Sequence, residues 1–218
     1  MIAVRVANGS LVFAGGLPEG LIAYVDADWV PQAGGAAPAL VIAEGGTVAW
    51  SGRPGAAALG AMSPEGAAGL VLDALARAAS EAAGDVPAGL VHVPGTGLVA
   101  RWVRERLGQR AGADGRPRVV VDTTADAETL LSATSAVEDL GTVILAGGAS
   151  DRTISFDFYP DVHVRGLRIV GLAPRLEEVL RDAPADTGPL EQAVREEERI
   201  VRAGEPAPRG ASLYRFEP

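Results

Sequence analysis

The residues whose types and spacing could do chemistry are Gly95, Thr96, Gly97, Leu98 and Ala100, a G-x-G-x-x-A turn. An apolar run at residues 90–93 leads into it, bounded by Pro87, Gly89 and Pro94. Such a run reads as a strand buried in a parallel sheet. Beyond the turn, Leu98, Val99, Trp102, Val103 and Leu107 recur at helical period, with Arg101, Arg104 and Glu105 facing away. Strand, glycine turn and helix in this order suit a dinucleotide pyrophosphate. Gly95 permits the tight turn and Gly97 lets the backbone approach a phosphate. Ala100 lets the helix close on the strand, and the helix N-terminus offers free N–H groups to the anion. The same order also serves as a plain structural unit with no phosphate, so both readings stand at this point.

Further candidates follow downstream. Val119, Val120 and Val121 form a second apolar strand that ends in Asp122, Thr123 and Thr124, and residues 142–146 form a third that ends in Gly147. Parallel sheets bind ligands at the carboxyl ends of their strands. Asp122, Thr123, Thr124 and Gly147 therefore join the glycine turn as candidate cofactor-binding residues. Tyr159 and His163 are the candidate catalytic residues. A phenol can hold a carbonyl or protonate an enolate, and an imidazole titrates near neutral pH. Each also has a plain reading, Tyr159 as packing beside Pro160 and His163 as a strand-edge residue. His92 reads as a core histidine and Arg101, Arg104 and Arg106 as a solvated helix face.

Composition removes several chemistries. The chain has no Cys, which excludes disulfides, thiolate metal sites and a cysteine nucleophile. All 19 basic residues are Arg, so Schiff-base lysines, a P-loop lysine and a Tyr-x-x-x-Lys pair are excluded as well. Arg without Lys in an Ala- and Gly-rich chain marks a GC-rich bacterial genome. With only His92 and His163 available, no metal site is expected. A net charge of −9 argues against nucleic acid and anionic membranes. No apolar run reaches bilayer length and no basic-then-apolar start is present. The expectation is a cytoplasmic protein acting on a small molecule.

The 218 residues, 48% of them hydrophobic, can bury one core or somewhat more. Residues 1–60 read as a small β-rich region. Hairpins are expected around Asn8-Gly9 and around Glu44-Gly45-Gly46, a strand at 21–25 and a loose linker at 52–60. Ser63-Pro64-Glu65 starts a helix that runs to about Ala83. Residues 61–174 then alternate strand and helix, with a helix at 125–140 and strands at 156–159 and 164–170. The class is α/β, a Rossmann-like, doubly wound, mostly parallel sheet with right-handed crossovers. Residues 175–218 read as helices at 175–181 and 189–203 and an extended tail.

Five stretches, in order, resemble the cofactor-binding half of the medium-chain, zinc-type alcohol dehydrogenase and quinone oxidoreductase family. Met62-Ser63-Pro64-Glu65-Gly66-Ala67-Ala68 is similar to its "s-x-E-x-A-A" helix start, and the stretch from Val91 to Ala100 to its glycine fingerprint. Val120-Val121-Asp122-Thr123-Thr124 resembles its "D-x-x-G" strand end, and the stretch from Leu140 to Gly147 its "G-x-v-v-l-x-G". The stretch from Tyr159 to Gly171 resembles its segment carrying a basic residue and then "l-x-i-x-G". The resemblance implies binding of NAD or NADP, oxidoreductase activity, and a homodimer paired through the strand near residues 167–170. The chain departs from the family in length, in lacking the zinc-binding Cys and His, and in an apparent loss of a strand–helix pair before Val119. The lost pair would carry the acid that holds the adenosine ribose. Asp122 fills that role if residues 119–121 are the second strand, and no ribose acid exists if they match a later one. The deletion aligns residues 123–147 better. The family relation thus implies a zinc-independent, NAD(P)-binding, oxidoreductase-like protein of bacterial biosynthetic metabolism. Its alternatives are a non-catalytic scaffold, a partner subunit of a biosynthetic enzyme complex, or a non-redox enzyme using the old cleft.

Overall fold

Two hairpins organise the start of the chain. The computed structural model describes residues 4–7, 10–13, 17, 19–30, 36–37, 39–43, 46–50, 56–108, 115–124, 126–147, 155, 157–172, 175–202 and 211–218. Strands β1 (Val4–Ala7) and β2 (Ser10–Phe13) pair antiparallel, and the Asn8-Gly9 turn expected between them lies outside the described residues. β3 (Leu21–Asp26) runs into a single 3-10 turn, Ala27–Trp29. β4 (Ala36–Ala37) pairs with β1. β5 (Leu40–Ala43) and β6 (Thr47–Trp50) form the second hairpin. Within the stretch expected to be a loose linker, β7 (Ala56–Ala58) pairs with β6 as an edge strand.

Helix α1 (Pro64–Ala83) begins as its capping residues dictate: the Ser63 hydroxyl accepts the Gly66 N–H at 3.0 Å, and Pro64 stands at the first helical position. β8 (Val91–His92), α2 (Leu98–Arg106), β9 (Val119–Asp122), α3 (Ala127–Ala136), β10 (Thr142–Leu145) and β11 (Arg168–Gly171) follow. Their strands form a wholly parallel sheet in the order β11-β10-β9-β8. Alternation along β9 explains why both faces are covered. Val119 and Val121 enter the larger core with α1 and α2, whereas Val120 meets Val143, Ala133 of α3, Val162 and Leu167.

Two other expectations need correction. Residues 158–163 are helical, with a π-helical turn at Tyr159–His163, where a strand at 156–159 was expected. Pro160 cannot donate to a ladder, and Val162 is buried in the smaller core. After α4 (Leu176–Arg181), helix α5 (Gly188–Glu197) stops six residues short of the expected end. Glu196, Glu197 and Glu198 crowd the negative end of the helix dipole, and Ile200 and Val201 favour extended backbone. Residues Glu198–Arg202 accordingly form β12, parallel to β13 (Leu213–Glu217). β13 pairs with β3, which completes a six-stranded sheet in the order β12-β13-β3-β5-β6-β7. Of the tail expected to be extended, residues Leu213–Glu217 are so, as an interior strand beside β3, and residues 203–210 lie outside the described residues.

An ion cluster ties this sheet to α1. Arg215 on β13 reaches Glu65 at 2.6 Å, Glu217 at 2.9 Å and Glu198 at 3.4 Å. The fully buried Tyr24 lies beside it, its ring centroid 6.0 Å from the guanidinium carbon.

Candidate functional site

At the carboxyl edge of the parallel sheet the chain leaves β8 through Val93 and Pro94, turns at Gly95-Thr96-Gly97 and enters α2. The first residues of a helix carry N–H groups with no partner inside the helix. Here those groups have partners from the other sheet. The Asp26 carboxylate at the end of β3 accepts the Val99 N–H at 2.9 Å. The Asp28 carboxylate accepts the Thr96 N–H at 2.7 Å, and the Leu98 N–H donates to the Ser212 carbonyl at 3.2 Å. The Thr123 hydroxyl at the end of β9 donates to the other Asp28 oxygen at 2.7 Å.

The glycines are explained by this approach. Gly97 has φ −67° and ψ 178°, extended backbone that any residue adopts. What it lacks is a Cβ, and a Cβ there would collide with the Asp26 carboxylate. A Cβ at Gly95 would strike both the Asp28 carboxylate and the Thr123 hydroxyl. The turn thus receives oxygen anions at close range, and the chain supplies them itself.

Electrostatics follow from the geometry. Asp26 is fully buried. Burial and then the neighbouring Asp28 charge push its carboxyl up to about 7, against the pull of the Val99, Asp28 and Leu98 N–H groups. Asp122 is also raised, by burial, although it accepts the Thr124 N–H at 2.9 Å and hydroxyl at 2.7 Å. The arginines near the turn are occupied elsewhere. Arg104 donates to the Val93 carbonyl at 3.0 Å and the Gly95 carbonyl at 2.6 Å. Arg101 pairs with Glu197 at 2.6 Å, and Arg106 with Asp73. On the helix face expected to be solvated, Arg104 therefore braces the turn, while Arg101 and Arg106 tie α2 to Glu197 of α5 and Asp73 of α1.

Of the residues singled out from sequence, Gly95, Thr96, Gly97, Leu98, Asp122, Thr123, Thr124 and Gly147 come together at this edge, and Ala100 is buried where α2 packs. Asp122 points to its own loop through Thr124. Tyr159 and His163 stack on one another, ring centroids 4.8 Å apart, and both are exposed. Their turn leads into the amino end of β11, where the Leu140 N–H meets the Arg165 carbonyl at 2.8 Å. The structure therefore does not bring them to the glycine turn, which lies at the opposite edge. His92 is exposed rather than buried, because β8 is an edge strand. Sequence reasoning missed Asp26, Asp28 and Ser212. The Asp-x-Asp spacing after an apolar strand was the only signal, and nothing local links it to a turn some seventy positions on. Among the described residues no three His, Asp or Glu side chains are grouped to hold a metal ion. No helix among them is long and apolar enough to cross a membrane.

The pyrophosphate of a dinucleotide needs the N–H groups of this turn and the space above its glycines. The cradle suits an anion, but Asp26, Asp28 and Ser212 now take both the donors and the space, so a pyrophosphate does not fit the turn as it is folded.

No protein-family model matches the sequence, and no curated protein matches it either. Solved structures do. The NADP-bound structure of a protein from Sinorhizobium meliloti 1021 assigned as a zinc-binding dehydrogenase is similar over 100% of this chain and 99% of that one, with a TM-score of 0.54 and 13% identity. The fold is similar to that of this dehydrogenase. L-idonate 5-dehydrogenase from Escherichia coli K-12 is similar over 99% of this chain and 97% of that one, at a TM-score of 0.50 and 11% identity. At these identities the likeness concerns architecture, which is α/β with a Rossmann-type parallel sheet.

Proposed function

We propose that the chain is an NAD(P)-binding, oxidoreductase-like protein whose dinucleotide turn rests in a self-liganded state. One observation carries this reading: a strand–glycine turn–helix at the carboxyl edge of a parallel sheet holds anionic oxygens on its N–H groups. The likeness in fold to an NADP-bound dehydrogenase supports it. When bound, NAD(P) would supply hydride transfer to or from a small molecule. Tyr159 and His163 stay outside this reading because they ride at the other edge of the sheet. Titration of the purified chain with NADH and NADPH, followed by fluorescence or calorimetry, tests it. Saturable binding of either supports the reading, and absence of binding at millimolar dinucleotide contradicts it.

The reading extends to a zinc-independent protein of bacterial biosynthetic metabolism, shortened between α2 and β9. Lack of Cys and the scarcity of His support the first part, and elemental analysis that finds stoichiometric zinc contradicts it. The place of β8 at the edge of the parallel sheet supports the second. A missing strand–helix pair would leave β8 at the sheet edge and no acid for a ribose, consistent with Asp122 turning to its own loop.

A second reading, a non-catalytic scaffold or partner subunit, is favoured by the position of Asp26. It ends β3, a central strand of the six-stranded sheet, and no part of it reaches solvent. On that reading the turn is a permanent joint between the two sheets.

For assembly we propose a C2 homodimer through β11. That strand pairs only with β10 among the described residues, and Ile169, Val164, Phe158 and Leu140 are exposed on or near it. Light scattering should give a dimer at micromolar concentration, and Ile169→Pro should give monomer or insoluble protein. A wild-type monomer contradicts the dimer.

A further inference from the structure

We infer that the cavity between β7 and α4 binds a short peptide with free ends, which adds to β7 as a further strand of the six-stranded sheet. This goes beyond the reading of the glycine turn and does not depend on it.

The cavity has a volume of about 350 Å³ and is lined by Ala56, Ala57 and Ala58 on one side and by Glu177, Leu180 and Arg181 on the other. That volume falls in the range of about 300–1,000 Å³ typical of small-ligand sites. β7 ends its sheet, pairing only with β6 among the described residues. Alternation in the ladder fixes which of its backbone groups are free. The Leu59 N–H donates to the Gly46 carbonyl at 2.6 Å, and Ala58 stands opposite Thr47. In an antiparallel pair the residue next to a bonded position turns its N–H and C=O away from the partner. Ala57 therefore faces β6. Ala56 and Ala58 turn theirs to the open edge, where none has a partner among the described residues. Such an edge is ordinarily guarded by charge, by Pro or by a bulge. β7 carries only alanines, which are poor strand formers, so no side chain of its own longer than a methyl shields its backbone.

The other wall supplies opposite charges one helical turn apart. Glu177 and Arg181 stand at i and i+4 on α4, the order that favours an ion pair. Pairs at this spacing close on α1 and α5, Asp73 with Arg77 at 2.9 Å and Glu191 with Arg195 at 2.5 Å. Glu177 and Arg181 do not close, and neither has an ion-pair partner among the described residues. An anion alone would meet Glu177, and a cation alone would meet Arg181. A zwitterion satisfies both, its carboxylate at the guanidinium and its ammonium at the carboxylate. An extended peptide adds the amide groups that the edge of β7 lacks, and main-chain pairing of this kind is how such peptides join exposed sheet edges. Three residues span Ala56 to Ala58 in register.

Calorimetric titration of the full chain with trialanine tests the site. The wild type should bind it one to one with a Kd at or below about 1 mM. N-acetyl-trialanine amide, which lacks both end charges, should bind roughly fivefold more weakly. Arg181→Gln should weaken trialanine by a similar factor and leave the blocked peptide unaffected. Ala58→Pro removes one outward N–H without touching the β6–β7 ladder. Once circular dichroism shows it folded, it should weaken both peptides roughly fivefold. No saturation of the wild type by about 10 mM trialanine overturns the site. Binding that Arg181→Gln leaves unchanged places the peptide elsewhere and overturns it too. A shift of oligomeric state in Ala58→Pro, with trialanine affinity intact, gives the edge to a second copy of the chain and overturns it as well.

Discussion

Two groups of buried carboxylates hold this molecule together, and they are neutralised in different ways. At the start of α1, Glu65 and Glu198 share the guanidinium of Arg215, a planar donor that carries a full positive charge. At the start of α2, Asp26 and Asp28 have only N–H groups and a threonine hydroxyl, which offer partial charges. Burial and the Asp28 charge push the Asp26 carboxyl up to about 7, and burial raises Glu198 as well, against the pull of Arg215. The first arrangement is a lock, because removing one partner strands the others. The second is a seat, because its donors serve any anion of suitable shape.

The largest effect should come from breaking the lock. Arg215→Met leaves Glu65 and Glu198 buried without a cation and should cost about 3–5 kcal/mol, read by denaturant unfolding. A loss below about 1 kcal/mol would mean that the cluster is solvated and the comparison empty.

The seat should show a pH dependence of its own. The folded-state pKa of Asp26 lies above its ordinary value of 3.8. Its contribution to stability is therefore fully present below about pH 4 and lost as the pH rises to about 7. Relative to Asp26→Asn, the wild type should lose up to about 4 kcal/mol across that window and then level off. Urea unfolding of both proteins at several pH values checks this, and parallel curves contradict it.

Smaller effects sharpen the contrast. Gly97→Ala places a Cβ against the Asp26 carboxylate and should destabilise by about 1–3 kcal/mol, measured by thermal melting. If Asp26→Asn made it no worse in the double variant, the two changes would be shown to act at one contact. Thr123→Val removes one hydroxyl from Asp28 and should cost about 1 kcal/mol.

Much of the fold was legible because it is written locally. The Ser63-Pro64 cap, the apolar runs at 119–121 and 143–145, and the turn at Gly95 each announce their element within a few residues. The π-helical turn at Tyr159–His163 and the strand β12 were not legible. The first depends on Val162 finding a distant apolar pocket, the second on Glu198 finding Arg215 across the sheet. The site was half legible for the same reason. Gly95 and Gly97 show that something approaches the turn closely, but a glycine records only an absence of bulk. That the approaching group is Asp26 or Asp28 depends on long-range packing of β3 against α2.

The self-filled turn depends on the contact between the Asp26 carboxylate and the Val99 N–H, and nuclear magnetic resonance reads that contact directly. The Val99 amide proton should shift with pH along a curve with its midpoint near 7, shared with the Asp26 carboxyl carbon and absent in Asp26→Asn. A Val99 amide unmoved between pH 4 and 8, with Asp26 titrating near its ordinary value, would contradict the claim that the chain fills its own turn.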